Sequence, residues 1–115
     1  MKIFLHCCGF IRSILPDLID AGVDILNPVQ FTAKDMELQG LKRISEKTLL
    51  SGVAALIPNR PFNKETPQQV SDEVKHIINL MAPGGGFVFV PVHNVQEDVP
   101  PENFWAMWDA LDEYR

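Results

Sequence analysis

The sequence predicts an α/β fold in which buried strands alternate with helices along a parallel sheet. Short apolar runs take turns with segments whose apolar residues recur at helical spacing. Consecutive parallel strands need a crossover, and a helix is the usual one. Titratable side chains also stand where apolar runs stop, in Phe4-Leu5-His6-Cys7-Cys8-Gly9 and again in Pro91-Val92-His93-Asn94. The ends of parallel strands are where such enzymes keep their reacting groups.

Residues 2–6 form an apolar run ending at His6, which suits a strand covered on both faces. Ile14 to Ala21 then shows helical spacing and closes on Gly22. Val23 to Val29 is the second strand candidate, followed by a short helix near Asp35 to Ile44. Thr48 to Val53 reads as a third strand with Gly52 near its end, and Asn59-Arg60-Pro61-Phe62-Asn63 as a loop. The next helix start is the best marked in the chain. Thr66 stands as N-cap, Pro67 takes the first helical position and Gln69 completes a capping box, so a helix is predicted from there to about Met81. Pro83-Gly84-Gly85-Gly86 stops it, Phe87 to Val92 reads as a fourth buried strand, and Pro101 to Tyr114 as an amphipathic helix carrying Phe104, Trp105, Met107, Trp108 and Leu111.

Four strand–helix units make half of a barrel, whereas a closed eight-unit barrel takes about 250 residues. The 115 residues here read as one half-barrel-like domain, 1–115. Such a half exposes two strand edges and an inner face, so a partner is expected, either a second copy in a homodimer or a complementary amino-terminal half.

Composition narrows the function further. With 46% apolar residues and a net charge of −5, the chain can bury one core, and its scattered basic residues make nucleic acid a poor partner. No run approaches the roughly 20 apolar residues that span a bilayer. The start, Met1-Lys2-Ile3-Phe4-Leu5, turns polar too soon for a secretory signal, so a cytoplasmic location is expected. Cys7 and Cys8 are adjacent and cannot staple distant segments, which leaves them for packing or metal. Gly84-Gly85-Gly86 precedes a strand, the wrong order for a phosphate loop.

Taken together, Leu5-His6-Cys7-Cys8-Gly9, the stretch from Leu15-Pro16-Asp17 through Asn27-Pro28-Val29-Gln30, Thr66-Pro67-Gln68-Gln69-Val70, and Gly85-Gly86-Phe87 through His93-Asn94 to Pro101-Glu102-Asn103 resemble the uroporphyrinogen decarboxylase superfamily, in order and over nearly the whole chain. The resemblance implies a TIM barrel, of which this chain is similar to the carboxy-terminal half. It also implies one of two activities, tetrapyrrole decarboxylation or methyl transfer from a corrinoid to a thiol. The decarboxylating residues of the family lie largely in the other half.

The methyltransferase branch holds zinc through a His-x-Cys pair at one strand end and a third ligand, usually cysteine, at a later one. His6 and Cys8 match the pair, and His93, ten residues before Asn103, stands at the third place. Imidazole is a sound substitute for thiolate on zinc. In the decarboxylase branch a histidine here touches the tetrapyrrole. Gly52-Val53-Ala54-Ala55 departs from the pattern, since many relatives carry an aspartate after the glycine and hydrophobic residue.

Residues two apart on a strand share a face, so His6 and Cys8 are expected to converge while Cys7 points to the helices. Three ligands would leave a coordination position for the acceptor thiol, which zinc holds as thiolate. Against that chemistry stands the plain alternative, in which His6, Cys8 and His93 line a pocket without metal. Asn27 and Gln30 are candidate substrate hydrogen-bonders, or else a turn residue and a solvated side chain. Glu102 and Asn103 are expected to stabilise the first turn of the last helix, the aromatics of that helix to serve core or interface, and His76 to be solvated. The expected function is a corrinoid-linked methyltransferase-like half-barrel with a corrinoid-bearing partner. The alternatives are a non-catalytic fragment or split subunit completing a barrel by association, and a tetrapyrrole decarboxylase-like protein.

Overall fold

The computed structural model describes residues 1–7, 9–28, 36–45, 49–51, 64–91, 94–95 and 97–114. Their elements run β1 (Phe4–His6), α1 (Leu15–Asp20), β2 (Ile25–Asn27), α2 (Leu38–Ser45), β3 (Leu49–Ser51), α3 (Pro67–Met81), β4 (Phe87–Val88) and α4 (Pro101–Asp112). The sheet order is β1-β2-β3-β4 and every neighbouring pair is parallel. The α/β class expected from the alternating pattern is the class observed.

Register explains how the core is assembled. Leu5 lies opposite Leu26, Leu26 opposite Leu50, and Leu50 opposite Phe87, a single row across the sheet. Leu26 is buried, and Leu5, Cys7, Phe87 and Phe89 pack with Ile11, Leu15, Leu41, Ile77 and Met81, residues from α1, α2, α3 and the turn before α1. A second cluster joins Val70, Val74 and Ile78 of α3 to Met107 and Ala110 of α4, with Phe104 and Leu111 at its margin. Burying each such aliphatic side chain contributes about 1.5–3 kcal/mol, which offsets the entropy of ordering short elements.

Among the described residues, part of the opposite face of the sheet is exposed, although Ile25 and Asn27 of β2 are half-buried there. Phe4 is 56% exposed and Val88 43%, and His6 is exposed between two inward neighbours. The expectation that the first and fourth strands are covered on both faces is therefore corrected. An apolar run records only that a strand is hydrophobic, and here the helices supply cover for one face.

Helix ends follow their local signals. Thr66 Oγ1 accepts from Gln69 N at 3.3 Å while Gln69 Oε1 accepts from Thr66 N at 3.0 Å, the reciprocal pair of a capping box. At the other end of α3, Lys42 of α2 donates through Nζ to the carbonyl of Met81 at 2.8 Å and to that of Pro83. A cation there satisfies terminal carbonyls and complements the dipole. Gly22, with φ of +100°, closes α1 in a conformation other residues enter at a cost. Asp24 anchors the chain before β2. Its carboxylate accepts from Lys2 Nζ at 2.6 Å and from the Ile3 backbone N–H at 2.8 Å, tying the start of β1 to that of β2.

Candidate functional site at the strand ends

Strand alternation fixes which side chains can meet at the carboxyl ends of the sheet. Leu5 and Cys7 pack against the helices, and His6 between them stands on the open face. Its register partner on β2 is Asn27, and Cys7 N donates to Asn27 O at 2.9 Å, extending the pairing one residue past β1. Asn27 is half-buried and is followed by a cis bond to the buried Pro28. Two polar side chains that sequence reading placed on separate segments are thereby neighbours on one surface. Imidazole and amide together supply a titratable nitrogen and a donor–acceptor pair.

Cys7 turns to the helices as expected and packs at the edge of the core. Cys8, Gln30 and His93 lie outside the described residues, as do Gly52-Val53-Ala54-Ala55 and the segment Asn59 to Asn63. Among the described residues no group of three His, Cys, Asp or Glu is placed to hold a metal ion; two of the three expected ligands are not among them. His76 is exposed on α3, as expected of a solvated position. Glu73 on the same helix is held above the usual carboxylate range by burial, but it belongs to the outer layer and not to the strand ends.

Asn103 departs from its expected role. It is fully buried and donates through Nδ2 to the backbone carbonyl of Glu65 at 2.9 Å, so it fastens α4 to the residue before the α3 N-cap. Of the aromatics expected to serve core or interface, Phe104 packs with the core, while Trp105, 58% exposed, and Trp108 lie on the surface, which leaves them the interface role. Two residues that sequence reading passed over, Arg12 and Arg43, line a cleft in the helix layer. The available signal was Gly40, a glycine inside a helical pattern, which often marks a close approach.

A parallel sheet with helices packed against one face and His6 at a strand end defines an α/β domain. The family model for uroporphyrinogen decarboxylase (URO-D) matches residues 1–114, and the chain belongs to that family. Neither the comparison with curated proteins nor that with solved structures returned a match. Among the described residues no helix is long and apolar enough to cross a membrane.

Proposed function

We propose that this chain forms the carboxy-terminal half of a URO-D-type barrel with a methyltransferase-like site, in which His6, Cys8 and His93 hold zinc and a corrinoid carried by a partner protein supplies the methyl group. The observation that carries the reading is the alternation at the end of β1, with Leu5 and Cys7 in the core and His6 on the open face. In sequence Cys8 is two residues from His6, the spacing of side chains that share a strand face, and that spacing supports a shared ligand set. Imidazole and thiolate are the donors zinc prefers. When bound, zinc lowers the pKa of a coordinated thiol so that a nucleophilic thiolate exists at neutral pH. The protein's own part is to orient the acceptor, for which Asn27 beside His6, together with Gln30, offers hydrogen bonds, and to keep Cys7 out of competition by packing it among the helices.

Metal analysis combined with native mass spectrometry on the untagged chain tests this. The expected result is zinc at one per chain, lost in Cys8→Ser and retained in Cys7→Ser. A wild-type chain that carries no zinc, and that added zinc neither binds nor stabilises, overturns it.

A second reading, association to complete a barrel, rests on a different observation. Phe4 and Val88 are exposed on the sheet face opposite the helices, and parallel sheets are ordinarily covered on both faces. A second copy or a complementary amino-terminal half would cover them, and in the cytoplasm the thiols would stay reduced. The same mass spectrum reads assembly: a dimer abolished by Val88→Asp supports association of copies, and a monomeric wild-type chain removes that version.

A further inference from the structure

On the helix side of the sheet, away from His6 and Asn27, a cleft of about 480 Å³ lies between α1 and α2. Its walls are apolar, formed by Leu15, Pro16 and Ile19 of α1 and Ile44 of α2, and its polar groups are Arg12, Arg43 and Asp20. A space of this size accommodates a small organic molecule and exceeds what a simple ion needs.

Arg12 is the unusual member. Its Nη1 is buried and meets no hydrogen-bond acceptor among the described residues. A buried donor left unmet weighs against the fold. The fold nevertheless makes room for it. A Cβ on Gly40 would lie 2.5 Å from Arg12 Nη1 and 2.9 Å from Nη2, so any larger residue would push the flexible end of Arg12 away from its place on α2. Glycine inside a helix is itself unfavourable relative to alanine. Two destabilising features, a helical glycine and an unmatched buried donor, thus coincide at one wall of one cleft.

Arg43 stands one turn after Gly40 on α2, is exposed, and lines the same space. Two guanidinium groups against the single carboxylate of Asp20 leave one excess positive charge. Planar guanidinium forks pair with carboxylate or phosphate oxygens, and the apolar walls ask for a hydrocarbon body behind that head. We propose that this cleft binds a small amphipathic acid, its carboxylate or phosphate head on Arg12 and Arg43 and its apolar body against Leu15, Pro16, Ile19 and Ile44. Asp20 repels a second negative charge, which favours a carboxylate over a phosphate dianion. The cleft is on the other side of the sheet from the strand-end site, so this assignment is independent of zinc or methyl transfer.

Titration calorimetry on the full chain tests it, with octanoate, octyl phosphate, inorganic phosphate and 1-octanol as probes. Octanoate is expected to bind saturably at one per chain, octyl phosphate more weakly, and the other two without saturation. Replacing either arginine removes a charge-assisted contact, so Arg12→Gln and Arg43→Gln should each weaken octanoate binding by about tenfold or more. Gly40→Ala should weaken it too, although it removes no charge, because the new Cβ displaces the Arg12 guanidinium. Arg43 is exposed, so Arg43→Gln should keep the wild-type circular dichroism and thermal midpoint, and its loss of binding reads the site and not the fold. Octyl phosphate binding tighter than octanoate, with the same arginine dependence, assigns the head as phosphate and overturns the selectivity given to Asp20. Absence of saturable octanoate and octyl phosphate binding to the wild-type chain, or unchanged binding in Arg43→Gln, overturns the site.

Discussion

Asn103 Nδ2 donates to the backbone carbonyl of Glu65 across a buried contact of 2.9 Å, joining the first turn of α4 to the residue that precedes the N-cap of α3. The bond closes the α3–α4 pair at one end while Val70, Val74 and Met107 close it along its length. Asn103→Ala removes the donor of this buried hydrogen bond, at a cost of about 1–3 kcal/mol. Asn103→Asp should cost more, because a carboxylate oxygen would then face the carbonyl. Urea unfolding of the two variants checks both the loss and its order; an Asp variant as stable as wild type would remove the bond from the account.

The capping box at Thr66 gives a second prediction. Thr66→Ala loses the acceptor for the Gln69 N–H and is expected to cost about 1 kcal/mol, whereas Thr66→Ser keeps the oxygen and should stay near wild type. Thermal unfolding followed at a helix wavelength distinguishes the two variants.

Acid stability should depend on Asp24. The hydrogen bond from Lys2, with a further one from the Ile3 N–H, holds its carboxyl below the ordinary value of 3.8. Between that value and its lower folded pKa, the unfolded chain binds more protons than the folded one. The contribution is therefore complete above the unfolded pKa and is lost as pH falls through the folded one. Asp24→Asn should flatten the acid limb of stability against pH, measured by urea midpoints below about pH 5. An unchanged acid slope would assign that limb to other carboxylates.

Cys7 and Cys8 should separate by readout. Cys7 packs against the core cluster that holds Leu15 and Leu26, so Cys7→Ser places a hydroxyl beside apolar groups and is expected to cost about 1–3 kcal/mol. Cys7→Ala, which adds no polar group, should cost less. Equal losses in the two variants, measured in metal-free buffer, would mean that volume and not polarity governs the position.

Local signals account for what was legible in the sequence. The Thr66-Pro67-Gln68-Gln69 start and the end of α3 at Met81 are set by residues within a few positions of one another, and the structure has both where the sequence put them. Gly22 likewise marks the close of α1. The misread positions depend on distant partners. Asn103 is in the first turn of α4 as expected, but its tie to α3 was not legible because its acceptor, Glu65, is 38 positions away. Arg12 gave no sign of resting on Gly40, which is 28 positions on and reached only when α2 packs beside the turn before α1. Of the candidate site, the inward turn of Cys7 and the outward turn of His6 followed from alternation. The pairing of His6 with Asn27 required the register, which Leu5 opposite Leu26 sets through the core.

One-sided cover of the sheet makes the last prediction. Leu26 and Val88 both belong to strands, yet Leu26 is 1% exposed beneath the helices and Val88 is 43% exposed on the other face. Leu26→Ala deletes a fully buried side chain and leaves a cavity in the core, at a cost of about 2–5 kcal/mol. Val88→Thr exchanges a methyl for a hydroxyl at a position already in water, keeps the β-branched shape that suits a strand, and should fall within about 0.5 kcal/mol of wild type. Urea unfolding at low protein concentration, where copies are separated, makes the comparison for the single chain. Costs of similar size at the two positions would mean that Val88 is covered in solution by this chain itself, and the open face would lose its claim as the surface on which a barrel is completed.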